Sequence, residues 1–138
     1  MPELAAAFPQ LTIVLDHLGK PPLGRDGMDE WAAAIHAAAA HANVAAKISG
    51  LNTILSSPDW QAGDLRDAVA TAVDAFGPAR LMCGSDWPVC LLNGDYEKVW
   101  RETVRVVENV VPGHAEELLG GSARRLYALD ACGRGAAR

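Results

Sequence analysis

A chain of 138 residues, half of them hydrophobic and with a formal net charge of −5, is long enough for one domain with a real core. The mild acidity and the absence of a basic stripe argue against nucleic acid as a partner, because nothing would neutralise phosphates. No apolar run is long enough to span a bilayer, so no membrane partner is expected, and the first fifteen residues have neither the basic start nor the apolar core of a signal peptide. Cys83, Cys90 and Cys132 form an odd set without CxxC spacing. Reduced thiols in a cytoplasmic protein are therefore expected rather than a disulfide framework or a metal cluster.

In chain order, Leu11–Asp16 is the first predicted strand, short and apolar. His17 follows at once, then a loop to Gly24 that holds Lys20 and the rigid pair Pro21-Pro22. A helix is predicted over 29–42 with Asp29 as its N-cap. Val44–Ser49 reads as the second strand. Period-two alternation puts Lys47 and Ser49 on one face and Val44, Ala46 and Ile48 on the other. The segment 50–63 contains Trp60 and has the length of a lid. A helix over 64–76, capped by Asp64, stops at Gly77-Pro78. Arg80–Gly84 is the third strand. A helix over 95–111 ends at Pro112-Gly113, two short helices follow near 114–120 and 122–130, and 131–138 reads as a frayed tail. This βαβαβ order implies parallel strands in an α/β fold.

The run Leu81-Met82-Cys83-Gly84-Ser85-Asp86-Trp87-Pro88-Val89 is the richest in chemistry. Pro88 ends the strand, since it cannot donate to a ladder. Asp86 would lie on the Gly84 face if extended geometry continues, and Gly84 leaves room beside it for a ligand. A carboxylate at the C-terminal end of a parallel strand is where α/β enzymes place chemistry. The competing reading is an Asp that bonds its own turn backbone.

Parallel strands end on one rim, so His17, Lys47, Ser49 and Asp86 can converge there. Each also has a plain role: His17 as a turn residue, Lys47 as the charge that blunts an edge strand, Ser49 as a bond to turn backbone. Together they supply a base or metal ligand, an anion anchor and a proton shuttle. Trp87 could wall a small-molecule pocket or belong to the core. His36 and His41, five apart on a helix, do not share a face and are expected to be surface or packing residues, and His114, just before a short helix, is expected to be a cap.

The segments Val14-Leu-Asp-His-Leu-Gly-Lys-Pro21, Lys47-Ile-Ser-Gly-Leu51 and Arg80–Cys90 resemble the amidohydrolase-related family of the amidohydrolase superfamily. They are most similar to its L-fuconolactonase and L-rhamnono-lactonase branch. Asp64-Leu-Arg, Ala75-Phe-Gly-Pro and Gly121–Tyr127 fit as well. The resemblance implies a (β/α)8 TIM barrel with its site at the C-terminal rim. Residues 1–130 would be the C-terminal portion of such a domain, an incomplete barrel of about three parallel strands, with Met1 inside a helix that leads into a late strand. A full barrel takes about 250 residues, and the His-x-His pair of the family's first strand is absent from this sequence.

By the same resemblance, Asp86 would accept the proton of an attacking water. His17 would bind a metal or polarise the substrate carbonyl, and Lys47, Trp87, Lys20 and Ser49 would contact substrate. A divalent ion such as Zn, if one is bound, would use His17 and Asp86; the cofactor could equally be none. The implied activity is hydrolysis of a small sugar lactone in the complete enzyme. The alternatives are a non-oxidative decarboxylase of the same superfamily, or an inactive or partner-requiring barrel fragment. Besides a lactone, the expected partners are a missing N-terminal half-barrel or further copies of the chain itself.

Overall fold

The structure is a computed structural model that describes residues 1–129. It consists of α1 (Pro2–Ala7), β1 (Ile13–Leu15), α2 (Met28–Ala39), β2 (Val44–Ile48), α3 (Ala62–Phe76), β3 (Leu81–Cys83), α4 (Tyr96–Val110) and α5 (Ser122–Leu126). The predicted tail at 131–138, with Cys132, lies outside the described residues.

The helices form where apolar residues recur at helical spacing. Leu65, Ala68, Val69, Ala72 and Phe76 make the buried stripe of α3. Trp31, Ile35, Ala38 and Ala39 do the same for α2, and Val99, Thr103, Val106 and Val107 for α4. Two predicted caps are corrected. Gly27, not Asp29, is the N-cap of α2, and Asp29 lies in the first turn, where a carboxylate complements the helix dipole. Asp64 is three residues inside the N-cap of α3, and its carboxylate accepts the Gln61 backbone N–H at 2.7 Å. Asp95 is a true cap, accepting from the Lys98 N–H. Instead of two separate C-terminal helices, a π-helical turn at Glu117–Gly121 runs directly into α5.

All three strands are parallel, in the order β1-β2-β3. The ladder is shorter than the apolar runs suggested, because Leu11, Asp16 and Arg80 fall outside it. In the register, Ile13 is opposite Val44 and Leu15 opposite Ala46, while Ala46 pairs with Leu81 and Lys47 with Met82. One face of the sheet therefore carries Val44, Ala46, Ile48 and Leu81, all at most 1% exposed and packed into the core with α2 and α3. The other face carries Ala45, Lys47, Met82 and, just past the ladder, Ser49 and Gly84. At the N-terminal ends, the Arg80 guanidinium donates to the carbonyls of Ala39, His41 and Val44. The Asn43 amide donates to those of Ala5, Phe8 and Leu11, which ties α1 to the sheet.

The ends of the segment expected to behave as a lid are packed into the core, while residues 56–59 are exposed. Leu51, Asn52 and Trp60 are nearly inaccessible, and the Trp60 indole donates to the Asn93 carbonyl at 2.8 Å. The apolar body of Trp60 is worth more inside the core than over a cleft, and its one polar atom has found a partner.

Glu102 of α4 is only 4% exposed. Its carboxylate accepts the Ala62 backbone N–H at the start of α3 and bonds from Arg101 and Arg105. Burial alone would raise its pKa. The hydrogen bonds from Arg101 and the Ala62 N–H, together with the two guanidinium charges, outweigh burial and hold it below the usual carboxylate range. A carboxyl depressed in the folded state contributes stability above its unfolded pKa and loses it as pH falls through the folded value. Glu102→Gln is expected to cost about 1–3 kcal/mol near neutrality. Urea unfolding at several pH values should show the difference from the parent shrinking as the solution becomes acidic; a constant difference would contradict the assignment.

Among the described residues, the outer edges of β1 and β3 have no strand partner in this sheet. Open parallel edges template association, so sedimentation of the purified chain should show oligomers. A concentration-independent monomer would speak against exposed edges.

Candidate active site

The chain leaves β1 by a tight left-handed turn. His17, Leu18, Gly19 and Lys20 all have φ between 49° and 65°. Only Gly19 takes this region without steric cost. The turn swings the His17 ring over the end of β2, where its Nδ1 lies 2.9 Å from the Ser49 Oγ.

β3 continues to Gly84, whose N–H donates to the Ile48 carbonyl at 3.1 Å. The extended geometry assumed as far as Asp86 then breaks, because Asp86 itself has φ 59°. The turn backbone is satisfied by Ser85, whose Oγ accepts the Trp87 N–H. The Asp86 carboxylate has no hydrogen bond among the described residues and lies 3.9 Å from the His17 Nδ1. It is thus not occupied as a turn residue. Both side chains are partly accessible, 28% for His17 and 20% for Asp86.

Gly50 makes this approach possible. It has φ 62°, and a Cβ there would lie 2.5 Å from the Asp86 Oδ2 and 3.0 Å from the His17 Nδ1. Backbone therefore forms the wall behind the two side chains, and only glycine leaves enough space.

Lys47 is on the central strand, which removes the edge-strand explanation. Its ammonium is 2.8 Å from the Asp16 Oδ1 and 5.8 Å from the centre of the Tyr127 ring. The bond that it donates to Asp16 raises its pKa above the ordinary lysine value, against partial burial and with help from Tyr127. Lys47 thus stays charged and already holds one carboxylate.

These groups line one cleft of about 300 Å³, which takes in Asp16, His17, Lys47, Ser49, Asp86 and Tyr127. That volume is at the lower end of small-molecule sites. Cys83 also borders it, but burial pushes its thiol up to about 12, so it offers no thiolate nucleophile. Lys20 is exposed, Trp87 is 65% exposed, and neither lines the cleft. His36 is exposed as expected; His114, expected to be a cap, is also exposed, and its side chain makes no cap hydrogen bond among the described residues. Asp16, Gly50 and Tyr127 are the contributions that sequence reasoning passed over. Asp16 had a signal, an acid beside the strand-end histidine. Tyr127 had none, since it comes from the far end of the chain.

The spacing of the His17 Nδ1 and Asp86 Oδ2 suits two ligands of one ion, but a zinc site takes at least three protein ligands. Among the described residues no three His, Cys, Asp or Glu side chains are placed to hold one metal ion. The residues present therefore do not complete a metal centre. In chemical terms they supply a free carboxylate, an imidazole held by a hydroxyl, and a neutralised ammonium around a small cleft.

The profile of the family described as Amidohydrolase matches residues 1–129. The chain is 43% identical over 130 residues to an L-fucono-1,5-lactonase of Burkholderia multivorans, a match that covers 85% of this chain and 43% of that protein. It is 35% identical to an L-fucono-1,5-lactonase of Burkholderia ambifaria, covering 91% of this chain and 44% of that one. Its fold is similar to the crystal structure of a Burkholderia multivorans amidohydrolase with bound Zn, at a TM-score of 0.83 and 40% identity, over 92% of this chain and 47% of that chain. The chain thus spans less than half the length of these relatives, and its three parallel strands and their helices are part of an amidohydrolase TIM barrel. From the strand-end histidine and aspartate to the family profile that runs over nearly all of its length, the chain belongs to the amidohydrolase family.

Proposed function

We propose that this chain forms the C-terminal part of the site of a sugar-lactone hydrolase, and that catalysis requires the remainder of the barrel. The observation that carries the reading is the unpartnered Asp86 carboxylate facing the His17 ring across 3.9 Å at the C-terminal rim of the strands. The lactonase names of the relatives favour ester hydrolysis over decarboxylation.

In the proposed reaction a water molecule attacks the lactone carbonyl carbon. Asp86 accepts the water's proton as the new C–O bond forms. Collapse of the tetrahedral intermediate breaks the bond to the ring oxygen, and Asp86 returns the proton to that leaving alkoxide. The product is the open-chain hydroxy acid. Ser49 fixes the His17 ring through Nδ1, which leaves Nε2 for the carbonyl oxygen or the water. Lys47, locked to Asp16, offers N–H donors to substrate hydroxyls more readily than a free cation for an anionic group. A metal could engage His17 and Asp86 only with ligands from elsewhere in the barrel, and no step here depends on one.

The test is acid release from a panel of aldonolactones, with the chain alone and with the chain joined to the preceding half of the Burkholderia multivorans lactonase. Turnover is expected only from the joined protein. A folded joined protein that hydrolyses no lactone would reject the activity, and turnover by the chain alone would reject the need for the rest of the barrel.

A further inference from the structure

His17 stands on backbone that L-residues disfavour. Four consecutive positive φ values, three of them at residues other than glycine, do not persist unless the surroundings over-determine them. Locally, the Lys20 N–H bonds to the His17 carbonyl at 2.8 Å and closes the turn. That bond moves with the turn and cannot fix its direction relative to the sheet. The Leu18 side chain, fully buried, plugs the turn into the core. A polar contact from another element then reaches its backbone: the Trp31 Nε1–H, on α2, donates to the Leu18 carbonyl at 2.7 Å in a buried setting. Trp31 itself is 8% exposed, so water does not readily replace that donor, and the Leu18 carbonyl would be left unpaired without it.

We propose that Trp31 is a positioning residue for His17: its indole N–H holds the left-handed turn in the orientation that presents the imidazole to Ser49 and Asp86. The inference rests on the reading of His17 as a site residue, but its test reads the His17 ring and not lactone hydrolysis, so the two can fail separately. A second buried indole supplies the control. Trp60 donates to the Asn93 carbonyl at 2.8 Å and makes no bond to the turn.

The 138-residue chain, labelled with ¹⁵N in the histidine rings, can be followed by magic-angle-spinning NMR at one fixed pH where imidazoles are neutral; oligomers do not prevent the measurement. In the parent chain, the bond to Ser49 and the buried turn should hold the His17 ring in one environment and give one narrow pair of ring-nitrogen signals. Trp31→Phe keeps a ring in the core but removes the donor, and should broaden that pair about twofold or more as the ring samples further orientations. Trp60→Phe removes a comparable buried bond and should leave it unchanged. Parent-like His17 signals in Trp31→Phe, or equal changes in both variants, would overturn the proposal. Should Trp31→Phe fail to fold, coupling is read in the other direction, since it is reciprocal. His17→Ala should then speed hydrogen exchange of the Trp31 indole by about threefold or more without affecting that of Trp60. Unchanged exchange at Trp31 would equally overturn it.

Discussion

Asp86→Asn, introduced into the completed barrel, is expected to lower lactone hydrolysis by at least about 10²-fold, the lower end of what general acid–base catalysis contributes. The amide has the size of the carboxylate and cannot take a proton from water. The two side chains make no hydrogen bond across their gap of 3.9 Å, so the amide fits where the carboxylate stood and loss of fold is not the expected cause. The carboxylate has no hydrogen bond among the described residues, so the substitution leaves no donor orphaned, and stability should change by only a few tenths of a kcal/mol. The decisive comparison is the maximal rate of the Asn variant beside its melting temperature. Near-parental turnover would remove Asp86 from the proton transfer, and a large loss of stability would make the rate uninformative about it.

Gly50→Ala is expected to damage fold and site together. An L-residue at φ 62° costs about 1–2 kcal/mol. A Cβ 2.5 Å from the Asp86 Oδ2 and 3.0 Å from the His17 Nδ1 must also push both side chains away, and overpacking of this kind costs about 1–3 kcal/mol. The Gly50 carbonyl is held by the Thr53 hydroxyl at 2.8 Å, so the backbone is not free to retreat. The two terms together predict a melting temperature lower by about 10 °C for a domain of this size. A double variant separates them. With Asp86→Ala in place the clash is largely gone, so Gly50→Ala should then cost only its conformational term. Strictly additive effects would show that Gly50 and Asp86 do not touch.

Much of this fold is legible in the residues. Apolar runs at 11–16, 44–49 and 80–84, alternating with helical stripes and separated by Gly77-Pro78 and Pro112-Gly113, suffice for parallel α/β order, because burial period and turn chemistry are local properties. That Asp86 and His17 meet on one rim follows from the same topology, since parallel strands end on the same side. The family resemblance rested on these same segments, and the profile match agrees with it.

What could not be read are the relations that arise only when distant segments meet. Trp60 looked like a lid residue until Asn93 was seen to take its N–H. Lys47 could have been an edge charge until β2 proved central and Asp16 its partner. Asp64 and Asp29 both passed for N-caps, and the difference between them depends on one residue of backbone conformation at Gln61 and Gly27. Tyr127 reaches the cleft from the C-terminal helix, a placement no spacing rule contains. Above all, the left-handed backbone at His17, Leu18, Lys20 and Asp86 contradicts local preference. Residue types other than glycine do not announce it. At residues 17–20 it is accompanied by burial of Leu18 in the core and by the Trp31 bond to the Leu18 carbonyl, contacts between distant segments. Composition, periodicity and motif thus determine which strands and helices form and which rim carries the acid and the imidazole. The direction in which those two side chains point, and the glycine wall that lets them approach, are set by tertiary contacts, because only these outweigh the backbone's own preference.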